Sequence, residues 1–179
     1  SEGPICDRSM DEPYFNTAPC VLVDNGIWRM WYVSCTEWKM IHNWPEPLYH
    51  IKYAESEDGI HWIKTGRICI DYDNFTQAIG RPCVFIQSNF YKMIYSYRNA
   101  FDYRINQNQS YRLGYAESPD GIVWIRKDDE VGIACSENGW DSEMMEYAHI
   151  FCHSDEWHMF YNGNGFGKSG IGYAILAAN

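Results

Sequence analysis

The sequence is poor in basic residues, and those it has are not clustered. It contains 14 lysines and arginines against 24 aspartates and glutamates, which gives a formal net charge of −10. An acidic chain without a basic patch repels a phosphate backbone, so we expect no nucleic-acid partner. No apolar run reaches the ~18 residues that a membrane span requires, so we also expect no membrane partner.

Paired cysteines, metal-ligand spacings and a signal-peptide pattern are also missing. The seven cysteines stand singly and no CxxC pair occurs, which favours free thiols in a reducing compartment. The six histidines show no HExxH motif or paired spacing, so we expect neither a metal nor another cofactor. Residues 1–10 lack a basic region followed by an apolar run, and we therefore expect a cytoplasmic protein.

Aromatic residues are abundant, and they belong to a repeat. They make up 17% of the sequence, and long helical runs rich in Glu, Lys and Ala are missing, which favours β-structure. Residues 53–64 reappear at 115–126 with nine of twelve identities, and a third copy begins at Gly172-Tyr173-Ala174. Self-similarity at a period of about 62 residues is typical of a repeat architecture.

Each repeat is predicted to form four short strands, the blade of a β-propeller. Hairpin turns are predicted at Asn25-Gly26, near Ser88-Asn89, at Ser154-Asp155, and at the Asp-Gly pairs that begin at residues 58 and 120. We therefore predict an all-β, β-propeller-like fold in which residues 1–179 form a single domain of three tandem four-stranded blades, at about 14–66, 77–128 and 143–179. Segments 35–48 and 99–110 are predicted to be long loops, functional or mobile.

The repeated motifs resemble those of the five-bladed β-propeller glycosidases. The motifs are Pro-x-Val, Met-x-Tyr and Gly-Tyr-Ala-x-Ser-x-Asp-Gly-x-x-Trp, and the superfamily holds arabinanases, β-xylosidases, invertases and mannoside phosphorylases. The chain is most similar to a bacterial branch described as glycosidase-like. Five blades need about 300 residues, whereas about three blades are present, so the chain is a natural short form, a fragment, or a half-propeller completed by a second chain. We expect a homo-oligomer, because open blades are usually covered or paired.

The resemblance also implies three acidic residues at the starts of the innermost strands. Two are aspartates followed by proline, and the third is a glutamate two positions before a proline. Glu146 stands at the third position, with Ala148 in place of the proline, and we predict that it is the general acid. Asp141 and Glu143 are predicted as alternatives for the partner carboxylate. The competing interpretation is that this acidic cluster is a solvated loop.

At the other two positions the sequence has Ala18-Pro19 and Arg81-Pro82, and neither alanine nor arginine can act as base or nucleophile. Arg81 is predicted to bind an anionic group, such as a phosphate co-substrate or a carboxylated sugar, or to form a structural ion pair with Glu143 or Glu146. Further polar and aromatic side chains near the strand ends are predicted to bind sugar hydroxyls or ring faces: Arg98, Tyr97, Trp31, Trp140, His149, Asn162 and Asn164.

These features predict a carbohydrate-active protein that acts on a glycan, or binds one, through a central acidic and aromatic pocket. The alternative is a non-catalytic sugar-binding or scaffold module that has lost the aspartate pair, which Ala18 and Arg81 favour. A sialidase-like alternative rests on Ser-x-Asp-Gly-x-x-Trp, which is similar to the Asp-box turn. Such turns are structural and lie away from the pocket, so they add little to a functional assignment.

Overall fold

A computed structural model of the chain describes residues 3–73 and 77–176, and these form three antiparallel sheets that follow one another along the sequence. We call the sheets the first, second and third blade. The first blade consists of β1 (Asn16–Asp24), β2 (Ile27–Ile41), β3 (Trp44–Ser56) and β4 (Ile63–Ile70). The second consists of β5 (Gln77–Gln87), β6 (Phe90–Asn99), β7 (Arg112–Ser118) and β8 (Ile125–Arg126).

The third blade has three strands in the described part of the chain, which are β9 (Glu146–His153), β10 (Glu156–Asn162) and β11 (Ile171–Ile175). It therefore departs from the predicted four strands. The predicted third repeat also includes residues 177–179, which lie outside the described residues. Two 3-10 turns, Gln107–Gln109 and Asp128–Glu130, flank the strands of the second blade. The all-β, propeller-like fold is thus confirmed, with two complete blades and a three-stranded third.

The hairpin turns lie where the sequence predicts them. Asn25 and Gly26, Ser88 and Asn89, and Ser154 and Asp155 all have positive φ. Two successive residues with positive φ are the hallmark of the type I′ turn, whose twist matches that of paired strands. Segment 35–48 was predicted to be a loop, and that prediction is wrong. It extends the hairpin of β2 and β3 to a turn at His42 and Asn43, which also have positive φ.

The Asp-Gly motif forms the same turn in the first and second blades. Asp58 Oδ1 accepts hydrogen bonds from the backbone N–H groups of Ile60 and His61, each at 2.8 Å. Trp62 Nε1 donates to the carbonyl of Gly59 at 3.0 Å. The corresponding bonds recur around Asp120, Gly121 and Trp124. The repeated motif therefore stabilises the turn itself, which agrees with the structural role expected of it.

Neighbouring blades pack through aromatic side chains and through their first strands. Trp31 is completely buried between the first and second blades, where its Nε1 donates to the carbonyl of Gly121 at 2.8 Å. The Cys20 thiol accepts a hydrogen bond from the N–H of Val84 at 3.2 Å. The Cys83 thiol accepts one from Ile150 at the same distance. These bonds join β1 to β5 and β5 to β9, so the first strands of the blades lie side by side, as the inner strands of a propeller do.

Candidate functional site

The three inner strands carry the same bulge near their starts. Strand register shifts by one residue between Thr17 and Cys20, between Gly80 and Cys83, and opposite the start of β9. At each bulge a non-glycine residue has positive φ: 48° at Ala18, 50° at Arg81 and 56° at Tyr147. Such a conformation costs energy, and bulges often lie beside active sites, where they redirect a side chain. We call these bulges and the residues that directly precede them the inner rim.

Glu146 is the carboxylate of the inner rim, and its environment is unusual. Its side chain is 0% exposed, and neither carboxylate oxygen has a hydrogen-bond partner among the residues that the structure describes. Burial raises the pKa of Glu146 to about 7, although the nearby positive charge of Arg81 acts in the opposite direction. Near neutral pH this carboxyl is therefore poised between its protonated and ionised forms, as a general acid requires.

Arg81 connects the second blade to the bulge of the third. Its Nη1 donates to the carbonyl of Tyr147 at 2.5 Å, and its guanidinium lies over the Tyr147 ring, 5.6 Å from the centroid. The N–H of Tyr147 in turn donates to Ser96 Oγ at 2.9 Å. The Tyr147 backbone is thus held by two residues of the second blade, so the strained φ that follows Glu146 is fixed from outside its own strand.

Asp141, which was predicted as an alternative for the catalytic partner, is bound through one carboxylate oxygen, while its Oδ1 has no hydrogen-bond partner among the described residues. Its Oδ2 accepts from the Tyr161 hydroxyl at 3.1 Å, and the residue is 4% exposed. The same pairing of a Met-x-Tyr tyrosine with a buried or part-buried carboxylate occurs in the other blades, as Tyr32 with Glu12 and Tyr95 with Asp128. The repetition indicates that Asp141 stabilises its blade, as its two counterparts do.

Glu143 is exposed, and the hydrogen bonds described for it are made by its backbone. Its N–H donates to Asn164 Oδ1 at 2.8 Å, and its carbonyl accepts from Arg112 Nη1 at 2.9 Å. Asn164 Oδ1 also accepts from the N–H of Met144. Asn164, which was predicted to bind sugar, therefore organises the loop before β9, while the carboxylate of Glu143 remains at the surface.

Two of the predicted sugar-binding residues lie in the interior, and those predictions need correction. Trp31 has no exposed surface, because it fills the interface between the first two blades, so no ring face is open to a sugar. Arg98 is 2% exposed. Its Nη2 donates to Glu46 Oε2 at 3.3 Å and its Nε to the Tyr111 hydroxyl at 3.0 Å.

The charge cluster around Arg98 was not predicted from the sequence. Glu46 is 3% exposed and is also bound by Arg104 Nε at 2.7 Å. The Arg98 guanidinium lies 3.9 Å from the centroid of the Tyr103 ring. Glu46 belongs to the extended hairpin of the first blade, and Arg104 to the segment after β6. The two segments predicted to be long loops are thus joined to each other through a buried carboxylate.

Three of the remaining predicted residues, Trp140, Asn162 and His149, belong to the third blade and the loop before it, and the fourth, Tyr97, belongs to the second blade. Trp140 is partly exposed and stacks on Tyr161, with the ring centroids 5.6 Å apart. Asn162 pairs with Glu146 in the sheet, so its backbone lies directly beside the candidate acid. His149 is exposed and packs against Phe151. Tyr97 is half-buried against the core between the first two blades.

Two cavities of 610 and 530 Å³ lie beside the segment that precedes β1, and neither is lined by Glu146 or Arg81. In the described ranges, no group of three or more His, Cys, Asp or Glu side chains could hold a metal ion. Nor does any helix there have the length and apolarity that crossing a membrane requires. The inner rim therefore lies outside both of these cavities.

No family model matches the chain. It is similar to two uncharacterized proteins of Mycobacterium tuberculosis, with 35% identity to the one from strain CDC 1551 and 34% to the one from strain H37Rv. Each match covers 98% of this chain and 56% of the relative. The chain thus spans about half the length of the curated relatives it matches.

Solved structures of glycoside hydrolases share the fold. One described as a glycoside hydrolase matches with a TM-score of 0.74 and 16% identity, over 100% of this chain and 52% of that one. A thermostable family-43 glycoside hydrolase matches with a TM-score of 0.72 and 18% identity, over 98% of this chain and 58% of that one. The family-117 glycoside hydrolase Zg3597 of Zobellia galactanivorans matches with a TM-score of 0.67 and 15% identity, over 89% of this chain and 50% of that one. The chain therefore has the fold of the propeller-type glycoside hydrolases, in about half of their length.

Proposed function

We propose that the chain belongs to a carbohydrate-active protein that binds or hydrolyses a glycan at the inner rim, with Glu146 as general acid. The observation that carries this proposal is the buried carboxyl of Glu146, whose oxygens have no partner among the described residues and whose pKa is about 7. A buried, unpartnered carboxyl is costly to keep, and such groups are concentrated at functional sites.

In glycoside hydrolysis one carboxylic acid protonates the leaving oxygen, while a second carboxylate attacks the anomeric carbon or activates water. Glu146 suits the first role, because burial favours its protonated form. Of the two partners predicted from the sequence, Asp141 is engaged by Tyr161, whereas the carboxylate of Glu143 is exposed. We therefore assign the second role to Glu143 in this proposal.

The test is turnover of a broad panel of glycosides by the wild type and by Glu146→Gln. Loss of general-acid catalysis is expected to slow hydrolysis by about 10²–10⁴-fold. Glu57→Gln is a matched control, because it removes an exposed carboxylate from the Asp-Gly turn of the first blade. Equal activity of the wild type and Glu146→Gln would exclude catalysis by Glu146.

A second candidate is a sugar-binding module without catalysis. It is favoured by Ala18 and Arg81, which stand at the bulges where the resemblance implies aspartates. Binding on a glycan array, with no turnover of the glycans that bind, would support this candidate. Turnover of a bound glycan that depends on Glu146 would refute it.

We further propose that the chain forms a homo-oligomer through the outer face of the third blade. By strand register, Phe160 of the third blade is equivalent to Trp31 of the first and Ile94 of the second. Trp31 and Ile94 are each buried against the following blade. Phe160 is 40% exposed and Tyr173 is 52% exposed. Exposed aromatic faces of this kind mark interaction sites.

The oligomer is tested by light scattering coupled to gel filtration. The wild type is expected to elute as a multimer and Phe160→Lys as a monomer, with Phe90→Lys as the control at another exposed aromatic residue. A monomeric wild type would contradict the proposal. For localisation we propose the cytoplasm, which the seven unpaired thiols support because disulfides are rare in reducing compartments.

A further inference from the structure

Arg81 is presented to solvent in a fixed orientation at the inner rim. The residue is exposed, and its backbone is constrained by a φ of 50° and by the proline that follows it. One edge of its guanidinium is held by the Tyr147 carbonyl and by the face of the Tyr147 ring. An arginine that is already oriented loses less side-chain entropy when it binds a ligand.

Among the residues that the structure describes, Arg81 forms no ion pair with a carboxylate. The arginine ion pairs in the described part of the chain are made by Arg29, Arg98, Arg104 and Arg126, and none is made by Arg81. This outcome argues against a structural ion pair between Arg81 and Glu143 or Glu146. It is notable in a chain with a net charge of −10, where carboxylates are plentiful.

Glu146, the carboxyl of the inner rim, is not hydrogen-bonded to Arg81 either. Neither oxygen of Glu146 has a hydrogen-bond partner among the described residues, although the two groups are close enough for their charges to interact. The inner rim therefore combines a cation that can accept an anionic partner with a buried carboxyl that is readily protonated. A neutral Glu146 does not repel an anion bound to Arg81.

We propose that Arg81 binds an anionic group of the ligand, either a carboxylate on the sugar or a phosphate that binds beside it. This inference rests on the proposed function, since it names the ligand class of the same site. A guanidinium matches both groups, because its parallel N–H bonds fit two oxygens of a carboxylate or of a phosphate.

The experiment measures binding at low ionic strength by titration calorimetry or NMR, with D-glucuronate, D-glucose and inorganic phosphate as probes. Wild type is compared with Arg81→Gln, which removes the charge, and with Arg81→Lys, which keeps the charge but not the paired donors. Arg67→Gln is the matched control, because it removes an exposed arginine from the outer strand β4.

Wild type is expected to bind glucuronate or phosphate at least about tenfold more tightly than glucose. Arg81→Gln should abolish this preference, Arg81→Lys should weaken it, and Arg67→Gln should leave it intact. Tighter binding of glucuronate identifies the anion as part of the sugar, whereas tighter binding of phosphate, with glucuronate equal to glucose, identifies a separate phosphate.

Equal binding of all three probes by the wild type, no binding of any of them, or equal losses in Arg81→Gln and Arg67→Gln would overturn the inference. These outcomes are separable from failure of the proposed function. Turnover of neutral glycosides that depends on Glu146, and that neither added phosphate nor Arg81→Gln alters, would uphold the function and refute the anionic ligand. Phosphate binding that depends on Arg81, with no glycan bound or hydrolysed, would support an anion site at Arg81 and refute the proposed function.

Discussion

The burial of Glu146 has a consequence for stability that can be measured without knowing the substrate. In the folded chain its pKa is about 7, against a reference value of 4.5. Folding therefore favours the protonated form, and the sign of the effect follows from linkage. This contribution to stability is fully present below pH 4.5, declines as the pH rises, and is lost above a pH of about 7.

The magnitude follows from the pKa difference. At about 1.4 kcal/mol per unit, the change from 4.5 to about 7 corresponds to roughly 3 kcal/mol of unfolding free energy, of which about 2.5 kcal/mol falls between pH 5 and pH 8. Glu146→Gln cannot ionise and lacks this decline. Relative to the wild type, the variant should therefore gain about 2.5 kcal/mol between pH 5 and pH 8.

The assay is urea denaturation of both proteins at several pH values in that range, with unfolding free energies obtained by linear extrapolation. Comparing the two proteins at each pH cancels the titration of all other groups. Glu57→Gln, at an exposed carboxylate, should follow the wild-type profile. Parallel profiles for the wild type and Glu146→Gln would refute the argument, because they would mean that Glu146 is solvated in the folded protein.

Three further substitutions test the packing within and between the blades. Gly114→Ala would drive a Cβ into the ring of Tyr95, and we expect thermal denaturation to report a loss of about 1–3 kcal/mol. Trp31→Phe removes the indole donor to the Gly121 carbonyl in a fully buried site, and urea denaturation should show a loss of about 1–3 kcal/mol. Cys83→Ala removes the acceptor for a backbone N–H of β9, and hydrogen exchange of that amide should become about 5- to 10-fold faster. An unchanged value in any of these measurements would contradict the contact that it tests.

The blades could be predicted because the sequence signals that specify their turns are local and recur in each repeat. Each type I′ turn and each Asp-Gly turn is encoded by a few adjacent residues, and the repeat reports the same unit several times. The extended hairpin could not be predicted in this way. Pro45 and Pro47 lie in β3, and proline usually argues against a strand. They are tolerated because this part of β3 pairs with β2 alone, whereas pairing with β4 begins only at Ile51.

The site was predicted less completely, because it depends on contacts between distant residues. The burial of Glu46 requires Arg98 and Arg104, which lie 52 and 58 positions further along the chain. Trp31 was predicted to contact a sugar, since sequence alone cannot distinguish the two faces of a strand. The resemblance implied that Glu146 is the general acid, and that role stays a prediction, while the structure shows that the side chain is buried and that burial raises its pKa to about 7.

The inner rim also limits the chemistry that this chain can perform with its own residues. The resemblance places the other two acidic positions at Ala18 and Arg81, whereas strand register places the counterparts of Glu146 one residue earlier, at Thr17 and Gly80. Neither Thr17 nor Gly80 can act as acid or base. At Gly80 the limit is steric as well, since a Cβ there would lie 3.0 Å from the ring of Tyr49. A side chain at this position would therefore require the Tyr49 ring to shift by a few tenths of an ångström. Because hydrolysis requires two carboxylates, the proposed mechanism uses Glu143 as the second, and if Glu143→Gln leaves turnover unchanged, Asp141 or a carboxylate of another polypeptide segment takes that role.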